Sequence, residues 1–145
     1  MKQYARNACG TIALFHIALN AAATFPDLIA PGSYLANFKL NSSNIDPKAR
    51  GELFKESKDI LQEHKQAVQE GQSSVQNECD SHFIAFVVVE GRLYELDGMK
   101  SAPVDHGPCT QEELAAKGSS VITQFMQRDP ENLNFSMIVL TPVQE

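Results

Sequence analysis

The sequence predicts an α+β fold, with helices packed around a mainly antiparallel central sheet. An apolar run from Thr11 to Ala23, and residues Leu53/Ile60/Ala67 with Phe54/Leu61/Val68 recurring every seven positions, read as helices. The β-branched run Phe83 to Val89 (F-I-A-F-V-V-V), followed across Glu90-Gly91 by Arg92 to Leu96 (R-L-Y-E-L), reads as a hairpin. The resulting order of helix, helix, hairpin, helix, strand lacks the alternation of a parallel sheet. A chain of 145 residues, 43% hydrophobic, with 8 Phe and 3 Tyr, supplies one core of its own. Fibrous and wholly disordered classes are thereby excluded, and no internal repeat or domain boundary is visible.

Each element has a local reason. Asn7 is a suitable N-cap for the first helix, whose residues are apolar on nearly every side, as in a fully buried helix; Phe25-Pro26 ends it. Asp46-Pro47 reads as N-cap and N1 proline of a one-faced amphipathic helix running to about Glu70. Gly71 to Ser81 (G-Q-S-S-V-Q-N-E-C-D-S) holds a single aliphatic residue and reads as a long loop, a class that is usually functional or disordered. Thr110 to Glu113 (T-Q-E-E) is a capping box before a helix reaching Arg128, and Phe135 to Leu140 (F-S-M-I-V-L) is expected as a closing strand.

Charge and cysteine content narrow the function classes. The formal charge is -6, from 18 acidic and 12 basic residues, and the basic residues form no cluster, so the footprint of a nucleic-acid or anionic-membrane binder is missing. Three cysteines, an odd number without secreted-framework spacing, point to a reducing, cytoplasmic setting. Lys2 and Arg6 before the apolar run imitate a secretory signal, but Asn7, Cys9, Gly10 and His16 interrupt it. No stretch approaches the ~20 uninterrupted apolar residues of a membrane span.

Three residues suggest chemistry. A two-residue hairpin loop sets Ile84 opposite Asp97, and the strand period of two puts His82 and Asp97 diagonally adjacent on one face, within reach of a histidine–carboxylate bond. The plain alternative is a strand end beside a turn, and a one-residue slip would abolish the pairing. Cys9, two residues past Asn7, falls in the first turn of a helix, where unpaired N–H groups and the dipole favour thiolate; otherwise it is a small buried hydrophobe. Together the roles are those of a thiol hydrolase: Cys9 as nucleophile, His82 as base and acid, Asp97 orienting the imidazole, with the Cys9 N–H and the Gln3 carboxamide as oxyanion donors. A competing reading takes Cys79-x-x-His82 and His106-x-x-Cys109 as a zinc set. Against it, His82 cannot easily serve both zinc and Asp97. His16 reads as a core group and His64 as part of a polar helix face.

The segments Q-Y-A-R-N-A-C-G-T-I-A-L-F-H (3–16), H-F-I-A-F-V-V-V-E-G-R-L-Y-E-L-D-G-M-K-S-A-P-V-D-H-G (82–107) and R-D-P-E-N-L-N-F-S-M-I-V-L (128–140) closely resemble the ubiquitin carboxyl-terminal hydrolases, the papain-like UCH family (peptidase C12), in particular its short, L3-type members. The resemblance spans nearly the whole chain. It implies Cys9, His82 and Asp97 as the catalytic residues and Gln3 as transition-state stabiliser, a thioester with the ubiquitin C-terminal glycine, and no metal or cofactor. Ubiquitin, or a ubiquitin-like modifier, is the implied partner of a monomeric enzyme. It also places the family's crossover loop at about Leu61 to Ser81, restricting cleavage to small or unfolded adducts. Family domains carry a substantial segment before the glutamine, whereas here Gln3 follows Met1 by two positions. Residues 1–145 are therefore expected to be a single catalytic domain lacking that segment, marginally stable, aggregation-prone and weakened in ubiquitin affinity. A catalytically dead chain that retains weak ubiquitin binding is the second expectation, and the zinc module the third.

Overall fold

The computed structural model describes residues 1–4, 7–57, 60, 62 and 81–141. In chain order these form helix α1 (Cys9–Ala21), a 3-10 turn (Pro26–Leu28), helices α2 (Tyr34–Ser42) and α3 (Pro47–Glu56), strands β1 (Ala85–Val89), β2 (Arg92–Leu96) and β3 (Val104–Pro108), and helix α4 (Leu114–Met126). The architecture is α+β, with one antiparallel sheet in the order β1-β2-β3.

The hairpin has the expected register, from Ala85 opposite Leu96 to Val89 opposite Arg92. Glu90 and Gly91 both have positive φ, 49° and 72°, the turn whose twist matches the flanking strands. Strand β3 has no counterpart in the sequence reading. It pairs with β2 through Glu95–Val104 and Tyr94–Asp105, then slips by one residue before Arg92–Pro108. Gly107, at φ 97°, accommodates that bulge, and its N–H donates to Asp105 Oδ1 at 2.8 Å.

Two apolar clusters flank the sheet. In one, Ile12 of α1, Phe38 of α2, Phe54 of α3 and Ile60 are all buried, and the Phe15 ring meets those of Phe38 and Phe54 edge-on at 5.3 and 5.2 Å. In the other, Leu93, Cys109 and Val121 are buried beneath Phe86, Val88, Leu114 and Phe125, which seats α4 on the sheet. Between α1, β1 and α4 lies a groove of about 480 Å³, closed on one side by residues 136–141.

Several expected boundaries move. Asn7 is not the N-cap of α1: it has φ 55°, and Ala8 takes the cap position with no side-chain bond. A capping side chain needs an extended backbone directly before the helix, and Asn7 is left-handed and one residue too early. The helix begins at Cys9 and is not buried on every side, since Leu14 is 66% exposed beside the groove. Asp46 does cap α3, its Oδ1 accepting from Lys48 and Ala49 N–H at 2.8 and 3.0 Å. That helix stops at Glu56 because Ser57 is extended, with its Oγ accepting the Ile60 N–H at 3.4 Å. Most of the expected continuation to Glu70, and the loop Gly71 to Ser81 except Ser81, lie outside the described residues. Glu113 Oε2 does accept the Thr110 N–H at 2.9 Å, but α4 begins only at Leu114, without a side-chain cap.

Residues 135–140 form no strand. Their apolar pattern has no ladder partner among the described residues, and Ile138 is 92% exposed. Among the described residues no helix is long and apolar enough to cross a membrane.

Candidate active site

The candidate residues lie where α1, the entry to β1 and the exit from β2 converge. Cys9 is the first residue of α1 and is half-buried, so its sulfur sits at the end of the helix where N–H groups lack intrahelical partners. A side-chain carbon on the next residue, Gly10, would stand 3.7 Å from the ring of Phe83. The Cys9–Gly10 and His82–Phe83 segments are thus neighbours.

His82 lies in the extended approach to β1, and its Nε2 meets Asp97 Oδ1 at 2.9 Å, as the hairpin geometry predicts. The Asp97 side chain is 9% exposed and that of His82 36%, a shielded carboxylate behind an accessible ring. Asp97 directly follows β2, and its Oδ1 also accepts the Met99 N–H at 2.8 Å while its carbonyl accepts the Lys100 N–H at 3.1 Å. This tight turn fixes the carboxylate through its own backbone. An ionised carboxylate only accepts, so Nε2 carries the proton and Nδ1 is the basic nitrogen.

Gln3 is held beside the same turn. Its N–H donates to the Gly98 carbonyl at 2.9 Å, and Lys2 Nζ donates to the Met99 and Lys100 carbonyls at 2.8 and 2.7 Å. The contact requires a glycine: a Cβ at Gly98 would lie 2.9 Å from Gln3 Cβ and 3.1 Å from Ile12 Cγ2. Gln3, the Asp97 turn and α1 are therefore packed together.

The remaining candidates go elsewhere. His16 is buried in α1, its Nε2 2.8 Å from the Met1 amino group; burial first, and then that positive charge, push its pKa down to about 4. Cys109 is buried beneath α4, and burial pushes its thiol up. Among the described zinc candidates, His82 engages Asp97 and His106 engages Glu95, while Cys79 lies outside the described residues, as does His64. No group of three or more metal-binding side chains occurs among the described residues. The sequence reading missed Glu95, buried between Lys100 and His106. Its signal was a charged residue at an inward position of the R-L-Y-E-L strand, alternating with Leu93.

Residues 1–127 match the family model "Ubiquitin carboxyl-terminal hydrolase, family 1". The chain belongs to this family. It is 36% identical to a ubiquitin carboxyl-terminal hydrolase of Drosophila melanogaster, over all of this chain and 63% of that protein. It is 35% identical to ubiquitin carboxyl-terminal hydrolase 3 of Arabidopsis thaliana, over 97% of this chain and 59% of that protein. The chain thus spans about three fifths of the length of these family relatives. Its fold is similar to that of the Trichinella spiralis UCH37 catalytic domain bound to ubiquitin vinyl methyl ester, with a TM-score of 0.72 and 26% identity over 90% of this chain and 57% of that one.

Proposed function

We propose that the chain is a deubiquitinating thiol hydrolase, one catalytic domain that cleaves the bond after the ubiquitin C-terminal glycine. The observation that carries the proposal is the 2.9 Å bond between His82 and Asp97, in a chain whose Cys9 opens a helix on the adjoining segment. His82 Nδ1 takes the proton of the Cys9 thiol, and the sulfur attacks the carbonyl carbon of the terminal glycine. The Cys9 N–H and the Gln3 carboxamide donate to the oxyanion. As the tetrahedral intermediate collapses, the C–N bond breaks and the imidazolium gives its proton to the departing amine, leaving a thioester. Water, deprotonated by His82, then attacks the thioester; the C–S bond breaks, the carboxylate leaves and the Cys9 thiol is restored. Asp97 holds the imidazole in the tautomer this sequence requires and stabilises its charged form. Side chains and water suffice for every step, so the scheme uses no metal or cofactor.

The partner is ubiquitin or a ubiquitin-like modifier, bound by a monomeric, cytoplasmic enzyme. Family membership and the ubiquitin electrophile bound to the Trichinella relative support that reading, as do the odd cysteine count and acidic charge. Preference for small or unfolded adducts belongs to the same proposal and rests only on the crossover loop that the family resemblance implies for about Leu61 to Ser81. Turnover of a ubiquitin C-terminal fluorogenic amide by the chain, absent in Cys9→Ala, is the expected result. Saturable ubiquitin binding without any turnover would replace the enzyme by a binding protein.

A further inference from the structure

Glu95 is the most deeply buried carboxylate among the described residues, 2% exposed in the middle of the sheet. Its Oε2 accepts from His106 Nε2 at 3.0 Å and its Oε1 is ion-paired with the Lys100 ammonium. Phe86 lies directly across on β1, and its ring stands 5.9 Å from that of His106. A buried ion pair contributes little net stability over an apolar substitute of the same shape, because desolvation offsets the attraction. Burial of Glu95 is therefore better explained by what it holds in place.

Both partners are informative. Lys100 ends the turn that Asp97 begins: its N–H closes the turn on the Asp97 carbonyl, and its own carbonyl accepts from Lys2. His106 sits in the β3 bulge, where the register slip re-aims side chains. Glu95 itself is two residues before Asp97 on the same strand exit. Its carboxylate thus ties the far end of the Asp97–Lys100 turn back to β2 and to β3, leaving the turn little freedom to rotate the Asp97 carboxylate away from His82.

We propose that Glu95 is a positioning residue for Asp97, clamping Lys100 and His106 so that the turn presents the Asp97 carboxylate to His82 Nε2. This rests on the reading of Cys9, His82 and Asp97 as the catalytic set.

The test uses the rate at which iodoacetamide alkylates Cys9 in the intact chain at neutral pH, together with the ¹⁵N imidazole spectrum of His82. Glu95→Gln keeps the side chain's shape and removes its charge. It is expected to slow alkylation about ten- to a hundredfold, the order of effect of a sub-ångström to 1 Å misplacement. The His82 signals are expected to move toward those of Asp97→Asn. Because Glu95 acts through Asp97, the double variant should be no slower than Asp97→Asn alone. Independent, multiplying effects would overturn the proposal, as would an unchanged rate and spectrum in folded Glu95→Gln. Should Glu95→Gln fail to fold, Lys100→Met carries the test, since Lys100 is 43% exposed and tolerates replacement. Unaltered alkylation and His82 signals in that variant would equally refute the clamp. Alkylation that is indifferent to His82→Ala would instead count against the catalytic reading itself.

Discussion

Replacing Gly98 by alanine should impair catalysis through Gln3, although neither the nucleophile nor the base is touched. The new methyl group would meet Gln3 Cβ at 2.9 Å, Ile12 Cγ2 at 3.1 Å and the Gln3 nitrogen at 3.3 Å. Ordinary contact between carbons begins at about 3.5 Å, so the neighbours must retreat by about 0.6 Å. Ile12 is 2% exposed and locked among Phe38 and Phe54, which leaves Gln3 as the part that moves. Overpacking of this kind costs about 1–3 kcal/mol of stability. Complete loss of one oxyanion donor costs ~10²–10³-fold in kcat, and a partial displacement should cost about ten- to a hundredfold. The assay is hydrolysis of a ubiquitin C-terminal fluorogenic amide by wild type, Gly98→Ala, Gln3→Ala and the double variant, with Tm measured for each. KM should change little, and Gly98→Ala should add little to Gln3→Ala, because both remove the same donor. A folded Gly98→Ala with wild-type kcat would refute the reasoning, and so would a full, multiplying loss in the Gln3→Ala background.

Three further outcomes follow from the geometry. Asp97→Asn should retain its circular dichroism and lose on the order of 10³–10⁴-fold in kcat through the wrong imidazole tautomer; a loss below tenfold would contradict its orienting role. Folded His16 has a pKa of about 4 against an ordinary 6.5, so between these values the unfolded chain binds a proton that the folded chain refuses. Stability should therefore fall as pH drops from about 6.5 toward 4, by up to about 3 kcal/mol, and urea unfolding of His16→Gln should show a correspondingly smaller loss over that range. Phe54→Ala, which empties the centre of the helical cluster, should cost about 3–5 kcal/mol in the same assay, and a cost below 1 kcal/mol would show the cluster to be loosely packed.

The parts of the fold legible in the sequence are those set by local chemistry. Glu90-Gly91 dictates a two-residue turn, the turn dictates the register, and the register brings His82 to Asp97. Asp46-Pro47 likewise announces the start of α3. Strand β3 was not legible because V-D-H-G-P has little β propensity; pairing with β2 and the ties from Arg92 to Asp105 and from Glu95 to His106 make it a strand. The reverse error at Phe135–Leu140 has the same origin, since an apolar β-branched run becomes a strand only beside a ladder partner. Helix α2 was missed although Ser33 caps it, its Oγ accepting the Ala36 N–H at 3.2 Å, because Y-L-A-N-F-K-L-N-S shows no strong one-faced pattern. In the site, the His82–Asp97 pair followed from the pairing rule, whereas Cys9 opens α1 without the Asn7 cap from which its place was read. The packing of Gln3 against Gly98 joins residues far apart in the chain, and spacing carries no sign of it; the burial of Glu95 showed only in its inward position on the strand beside Leu93.

The central claim is that Cys9 is a nucleophile in an assembled site that recognises the ubiquitin C-terminus. Its most direct test is to mix the 145-residue chain and its Cys9→Ala variant with a ubiquitin C-terminal electrophile and read the intact masses. The account predicts a single ubiquitin adduct on the wild-type chain and none on Cys9→Ala. A folded wild-type chain that forms no adduct, or an adduct that survives the loss of Cys9, would contradict it.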